Sequence, residues 1–186
     1  MNHNLPENAK LVHKGIIFDT YQWEQEMFDG SIQIFEAIKR NPTVQIFVVT
    51  ENNKLIILNE EQPHVGKFIG LVGGHVEDNE TPEENAHKEL LEETGMKCDN
   101  LILWKKEEFG SKIIWDSYYF IAKNAKKVQN QNLEVGEKIE YLEVEFDEFI
   151  KLTQNKNFRN KSFSNMIFRM IHTKGELEKF KKELFN

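Results

Sequence analysis

The chain has 186 residues, of which 39% are apolar and 14 are Phe, enough to form the buried core of one domain. Its net charge of −7 argues against nucleic acid as a partner, although a phosphorylated small molecule can bind if a metal ion supplies positive charge. The single cysteine excludes an internal disulfide, and we find neither a membrane-length apolar run nor a secretion signal. We therefore expect a cytoplasmic protein that binds no membrane.

The first 40 residues predict a short β-rich module. Residues 11–18 and 31–39 have strand patterns, and residues 21–30 contain a second extended piece and the turn signal Asp29-Gly30. Because Asn41-Pro42 breaks the pattern, we divide the chain into a module of residues 1–40 and a domain of residues 41–186.

Two residues of this module are candidate ligands of a nucleotide. Trp23 could stack on a base, since every base offers a π-face, or it could lie in an interface between two chains. Arg40 could bind a phosphate or a base, or it could be an exposed charge at the end of a strand. The sequence leaves both pairs of alternatives open.

Beyond the break, two strand-like runs at residues 43–50 and 55–59 are joined by a hairpin signal. A further short strand at 68–72 leads into Gly73-Gly74, where the absence of side chains lets the backbone approach a ligand closely. His75, which follows, is interpreted as a solvent-facing turn residue.

The next segment predicts a helix with defined ends. Thr81 can cap its start, Pro82 suits the first turn, and Glu84 completes a capping box. Gly95 can end the helix in the left-handed conformation.

Three glutamates lie on one side of this helix, because Glu89 and Glu93 are four residues apart and Glu92 is three from Glu89. Like charges at that spacing destabilise a helix by roughly 0.2–0.5 kcal/mol per pair. A hard cation such as Mg²⁺ would reverse this penalty. A solvated acidic face is the alternative, but the preceding glycine turn and the helix caps favour a metal site.

The remainder of the chain predicts strands and then helices. The strand patterns cover residues 101–105, 113–123 and 138–144, with a polar loop at 129–136. Trp115 in the second of these strands is interpreted as a core residue. The helical patterns cover residues 146–154, 163–171 and 175–185. Mixed strands with helices on both sides predict an α/β fold, an α/β/α sandwich.

Residues 74–96 resemble the Nudix box: glycine, five residues, glutamate, seven residues, then Arg-Glu-aliphatic-any-Glu-Glu-any-Gly-aliphatic. The matching positions are Gly74, Glu80, Glu89, Leu90, Glu92, Glu93, Gly95 and Met96. The departure is Lys88, which replaces the arginine that orients the first glutamate of the triplet in the family. Lysine keeps the charge but lacks the bidentate fork.

The resemblance implies a Nudix-type α/β/α sandwich with a mixed sheet, plus a small N-terminal β-hairpin module. It also implies a Mg²⁺-dependent pyrophosphatase, with Mn²⁺ as an alternative metal. The implied metal ligands are Gly73, through its carbonyl, and Glu89, Glu92 and Glu93. Glu89 also counts as a catalytic residue. For the general base, the resemblance implies a glutamate on a mobile loop after the box, where Glu137 aligns best and Glu134 is the alternative.

The N-terminal module resembles the dimerising segment of the ADP-ribose pyrophosphatase branch, in which the partner chain reaches into the substrate site. We therefore expect a homodimer. The stretch Glu61-Gln62-Pro63-His64 is similar to the branch's Glu-Gln-any-Arg element, but His64 stands where the branch has a phosphate-binding arginine. A proline common downstream of the box in that branch is also absent, since this chain reads Phe109-Gly110-Ser111 there.

The resemblance implies hydrolysis of a nucleoside diphosphate linked to another moiety. ADP-ribose, cleaved to AMP and ribose 5-phosphate, is the first expectation, and an NDP-sugar is the second. The alternatives are a nucleoside triphosphate pyrophosphohydrolase, which usually lacks the N-terminal module, and a non-catalytic nucleotide sensor with the same fold. The expected substrate-binding residues are Trp23, Arg40, His64 and Gly74.

Overall fold

The computed structural model describes residues 4–186, so the first three residues of the predicted N-terminal module lie outside the described part. The strands are β1 (Lys10–Lys14), β2 (Asp19–Glu26), β3 (Ile32–Lys39), β4 (Thr43–Thr50), β5 (Leu55–Gln62), β6 (Gly66–Gly70), β7 (Met96–Lys97), β8 (Asn100–Phe109), β9 (Ile113–Lys127) and β10 (Lys138–Val144). The helices are α1 (Pro82–Thr94), α2 (Phe146–Thr153), α3 (Lys161–His172) and α4 (Glu176–Phe185). None of these helices has the length and apolar character needed to cross a bilayer.

Strand β9 connects the parts of the sheet. It pairs in parallel with β4, beginning with Thr43 opposite Ser117, and antiparallel with β8. Its first residues also pair in parallel with β3, where Ile38 lies opposite Ile113. The strand order is β1-β2-β3-β9-β4-β5-β10, with β6 beside β5 and with β7 and β8 beside β9. The sheet is therefore mixed, and the N-terminal strands extend it at one end.

Helices cover both faces of the central strands. On one face, α1 packs Ala86 and Leu90 into a cluster with Ile46 of β4. On the other face, α2, α3 and α4 enclose an aromatic cluster around Phe47, whose ring centroid lies 4.8 Å from that of Phe163. Strand β4 is thus buried on both sides, as is typical of a central strand with a parallel neighbour. This arrangement confirms the predicted α/β/α sandwich with a mixed sheet.

The predicted strand at residues 11–18 is wrong in its second half. Strand β1 ends at Lys14, and the chain then bends, with the Gly15 amide donating to Asp19 Oδ1 (3.2 Å). The apolar run that follows Gly15 looks strand-like in sequence, yet its side chains are exposed, Ile16 fully so. Strand β5 differs in the other direction, because it continues past the predicted end at Asn59.

Candidate active site

Helix α1 begins and ends where the sequence predicts. The Glu84 amide donates to Thr81 Oγ1 (3.2 Å) and the Thr81 amide donates to Glu84 Oε2 (2.8 Å), which completes the capping box. Gly95 is left-handed (φ 72°), and its amide donates to the Leu91 carbonyl. Held in this way, the helix presents three carboxylates to one cavity: Glu89, Glu92 and Glu93.

The Gly73-Gly74 turn lies directly against these carboxylates. The Gly73 amide donates to Glu93 Oε2 (2.8 Å). Gly73 has φ 149°, and a Cβ there would overlap the Val44 carbonyl. A Cβ at Gly74 would overlap the Glu89 carboxylate. Position 73 therefore requires glycine, because of its backbone conformation and its contact with the Val44 carbonyl, whereas a side chain at position 74 would displace the Glu89 carboxylate.

Four carboxyl groups influence one another in this cavity: Glu60, Glu89, Glu93 and Glu137. Glu93 is 4% exposed, and burial followed by repulsion from Glu60 and Glu89 raises its pKa well above the usual value. Burial, as the largest cause, also raises the pKa of Glu60 and of Glu89 to about 7. The metal-free site thus holds more negative charge than its surroundings stabilise.

This donor set suits a hard divalent cation. Buried carboxylates that repel one another are stabilised by protons or by a cation, and carboxylate and carbonyl oxygens are the ligands that Mg²⁺ prefers. The groups that could hold the ion are the carboxylates of Glu89, Glu92 and Glu93 and the Gly73 carbonyl. As placed, no three His, Cys, Asp or Glu side chains within residues 4–186 enclose a metal position, and the Glu93 carboxylate accepts the Gly73 amide hydrogen instead.

The loop between β9 and β10 adds two more carboxylates to the cavity. The Asn132 amide donates to the Glu92 carbonyl (2.9 Å), which ties the loop to the last turn of α1. Glu134 and Glu137 both line the cavity. Glu137 is half-buried, and burial is the main cause of its raised pKa, whereas Glu134 is exposed. Of the two, Glu137 has a pKa that burial shifts in the direction that favours a general base.

The cavity has a volume of about 530 Å³, which is in the range of small-molecule sites. Away from α1 it is lined by Arg40, Phe109 and Trp115. The two aromatic rings stack with centroids 4.0 Å apart. The Arg40 guanidinium contacts the His75 ring and lies over the rings of Phe18 (5.6 Å) and Trp115 (5.8 Å). The cavity therefore has an acidic end and an aromatic, cationic end, and Trp115 lines it instead of the core predicted for it.

The sequence profile of the NUDIX domain matches residues 39–166. The chain belongs to the Nudix family. An ADP-ribose pyrophosphatase of Bacillus subtilis (strain 168) is 24% identical over 151 residues, covering 78% of this chain and 80% of that protein. A methanol dehydrogenase activator of Bacillus methanolicus is 26% identical over 137 residues, covering 70% of this chain and 72% of that protein.

A solved structure described as an ADP compounds hydrolase has the same fold. It superimposes with a TM-score of 0.71 at 18% identity, over 89% of this chain and 91% of that chain. These similarities confirm the predicted fold class and the resemblance to the ADP-ribose pyrophosphatase branch. The protein is a Nudix hydrolase, a family that generally uses divalent metals.

Within one chain, the structure brings together most residues predicted for the Nudix site. Those lining the cavity are Arg40, Gly73, Gly74, Glu89, Glu92, Glu93, Glu134 and Glu137. Trp23 and His64 do not line it. Trp23 packs against Phe35 on the N-terminal strands, with ring centroids 6.1 Å apart, and His64 is exposed in the turn between β5 and β6. His75 is exposed as expected, but it lies at the cavity wall beside Arg40.

Lys88, the one departure from the Nudix box, makes an ion pair with Glu80 of the same box (Nζ–Oε1 3.4 Å). The other Glu80 oxygen accepts from Asn85 Nδ2 (3.1 Å), which also donates to the His75 carbonyl (2.9 Å). Lys88 therefore helps to hold the start of the box to the helix. The positive charge that the family's arginine would supply is thus kept at this position, where it pairs with Glu80.

Sequence reasoning missed three charged residues that line the cavity, Glu60, Arg159 and Lys161. A signal for Glu60 was available: in a strand, alternate residues share a face, so Ile56, Leu58 and Glu60 point the same way. A carboxylate that continues a buried apolar series is a candidate site residue. Arg159 had no comparable signal, because its position depends on how the C-terminal helices pack.

Proposed function

We propose that this Nudix hydrolase cleaves the pyrophosphate bond of ADP-ribose in a Mg²⁺-dependent reaction that gives AMP and ribose 5-phosphate. The observation that carries the proposal is the cavity with two different ends. Its acidic end, formed by α1 and the glycine turn, suits a cation and a diphosphate. Its other end, formed by Arg40 and the stacked Phe109 and Trp115, suits a base or a sugar. The names of the relatives support ADP-ribose first, and an NDP-sugar is the second candidate.

The metal would be held by Glu89, Glu92, Glu93 and the Gly73 carbonyl. When bound, Mg²⁺ supplies positive charge at the phosphoryl oxygens and lowers the pKa of a coordinated water. Glu137 is the general base that accepts the proton of the attacking water, and Glu134 is the alternative. Gly74 lines the cavity beside the Glu89 carboxylate, and as a glycine it lets the backbone approach the substrate closely. A half-buried carboxyl whose pKa is raised, as that of Glu137 is, is suited to this proton transfer.

We further propose that residues 1–40 form a dimerisation module. Apolar side chains of β3 are exposed in the single chain, with Ile32 at 58% and Ile34 at 63%. Exposed apolar surface of this kind commonly marks an interface. A second copy placed there would cover these residues, which lie on the opposite face of the β2–β3 pair from Trp23. Sedimentation velocity should give a dimer for the wild type and a monomer for I34E, with I102E on β8 as a control that stays dimeric.

We propose the cytoplasm as the location of the protein, because a chain with a single cysteine fits a reducing compartment.

The decisive experiment is product analysis by ion-exchange chromatography with Mg²⁺ and a panel of ADP-ribose, NDP-sugars and nucleoside triphosphates. We expect AMP and ribose 5-phosphate from ADP-ribose, and no product when a chelator is present. Cleavage of sugars or triphosphates alone would reject ADP-ribose and keep the pyrophosphatase activity. Lack of turnover of every compound would favour a nucleotide sensor with the Nudix fold.

A further inference from the structure

The segment between α2 and α3 forms a wall of the cavity, with Arg159 and Asn160 among its lining residues. It is fastened to the strand that leads into the glycine turn. The Arg159 amide donates to the Ile69 carbonyl (2.8 Å), and the Ile69 amide donates to the Asn157 carbonyl (3.0 Å). Phe158, between these bonds, is fully buried. The C-terminal helices therefore hold Arg159 at a fixed place beside the site.

A hydrogen-bond network also fixes the next residue, Asn160. Its Nδ2 donates to Gln45 Oε1 (3.2 Å) and to the Tyr119 hydroxyl (3.3 Å) on the central strands. Its Oδ1 accepts from the Phe163 amide (2.9 Å) and so caps α3. Since Asn160 contacts both the sheet and the helix, the backbone of Arg159 is positioned from two sides.

The Arg159 guanidinium is held without a direct ion pair, although its positive charge acts on Glu60 and lowers the pKa of that carboxyl against the effect of burial. It lies over the Phe68 ring (4.7 Å to the centroid), and its Nη1 donates to Gln62 Oε1 (3.3 Å). Within residues 4–186, no carboxylate lies at ion-pair distance from it. An exposed guanidinium with free N–H groups, facing a cavity rich in carboxylates, is suited to bind an anion that enters with a metal.

The neighbouring sequence lacks an arginine that the family resemblance leads us to expect. In the branch that this chain resembles, an arginine follows the Glu-Gln pair; here His64 stands at that position, exposed and away from the cavity. Gln62 of the same pair remains in the cavity and accepts the hydrogen bond from Arg159. The guanidinium therefore reaches the vicinity of the Glu-Gln element from a different part of the chain.

We propose that Arg159 binds a phosphoryl group of the diphosphate substrate and takes the place of the arginine missing at position 64. The proposal rests on the proposed function for the class of substrate. It assigns a substrate-binding role to the connection between α2 and α3, and it makes Asn160 a positioning residue. The planar fork of Arg159 can donate to two phosphoryl oxygens at once.

The test compares R159Q and R159K with a matched control, R169Q, whose side chain is exposed on α3 outside the cavity. For the substrate that the wild type hydrolyses, R159Q should raise KM about 10- to 100-fold with a smaller change in kcat, as expected for the loss of a charged hydrogen bond. R159K should recover part of the loss, because it keeps the charge without the fork. R169Q should have the wild-type KM.

A second measurement keeps the two proposals distinguishable. Calorimetric titration with ADP and Mg²⁺ does not require turnover, and R159Q should bind ADP about 10-fold or more weakly than R169Q does. A wild type that binds ADP through Arg159 but cleaves nothing would overturn the proposed function and support this inference. A wild type that cleaves ADP-ribose, with KM and ADP affinity unchanged in R159Q, would overturn this inference and leave the function intact. Circular dichroism establishes that each variant is folded, and R159K, the milder change, serves if R159Q is not.

Discussion

Replacing Glu60 by Gln should make the metal-free protein more stable at alkaline pH. Glu60 is 9% exposed, and burial is the main cause that raises its pKa from 4.5 to about 7. The folded protein therefore holds a proton on this group at pH values where the unfolded chain has lost it. The free energy of unfolding falls as pH rises from about 4.5 to about 7, and it stays low above that range.

The size of the effect follows from the shift. A carboxyl whose pKa moves from 4.5 to about 7 lowers the free energy of unfolding by about 3 kcal/mol once both states are ionised. Glu89, Glu93 and Glu137 share the repulsion, so we expect E60Q to recover about 1–3 kcal/mol above pH 8. At pH 4.5 the carboxyl is protonated in the folded state, and the variant should gain little. In a chain of this size, that range corresponds to roughly 2–12 °C in Tm.

The assay is urea unfolding with a chelator present, followed by circular dichroism between pH 4.5 and 8.5. The control is E61Q on the same strand, where Glu61 makes a distant ion pair with Lys138 (3.9 Å); this variant should not be more stable than the wild type at pH 8.5. Added Mg²⁺ should stabilise the wild type more than E60Q, because the cation offsets the same excess charge. Equal stability of E60Q and wild type at pH 8.5, without metal, would refute the reasoning about buried charge.

Three further substitutions test the site. E93Q keeps an acceptor for the Gly73 amide, so the variant should fold. It should nevertheless lower Mg²⁺-dependent turnover at least about 100-fold; an unchanged rate of product formation would reject the metal assignment. E137Q should lower kcat about 10²- to 10⁴-fold, and E134Q should lower it much less; the opposite order in steady-state assays would transfer the base role to Glu134. G74A places a methyl group against the Glu89 carboxylate. It should lower kcat about 10-fold or more and the free energy of unfolding by about 1–3 kcal/mol. A variant with wild-type kinetics would show that the Glu89 carboxylate can move away from the methyl group.

The sequence predicted those parts of the site whose geometry is local. The start and end of α1 depend on Thr81, Glu84 and Gly95, and their contacts lie within a few residues. The spacing of Glu89 and Glu93 then places both carboxylates on one side of the helix. For the same reason, most strands and all the helices were predicted to within a few residues at their ends.

The remaining parts depend on residues far away in the sequence. Arg159 lies beside Gln62 only because the C-terminal helices pack on the sheet. Trp115 lies at the cavity beside Phe109 and Arg40 because the pairing of β9 with β8 and β3 brings these three residues together. The mistaken strand at residues 11–18 has a different cause. Apolar content predicts burial, but Ile16 and Ile17 are exposed in the single chain.

The pairing of β5 with β10 has a consequence for how the chain is made. Leu55 pairs with Val144 and Glu61 with Lys138, so this side of β5 has no partner until β10 has left the ribosome. Roughly 80 residues lie between them, which takes on the order of 4–16 s at typical rates of synthesis. During that time a strand with four consecutive buried apolar residues, Leu55 to Leu58, exposes an unpaired edge, which is where association between nascent chains would begin. Expression at low temperature with chaperones present should therefore raise the yield of folded protein.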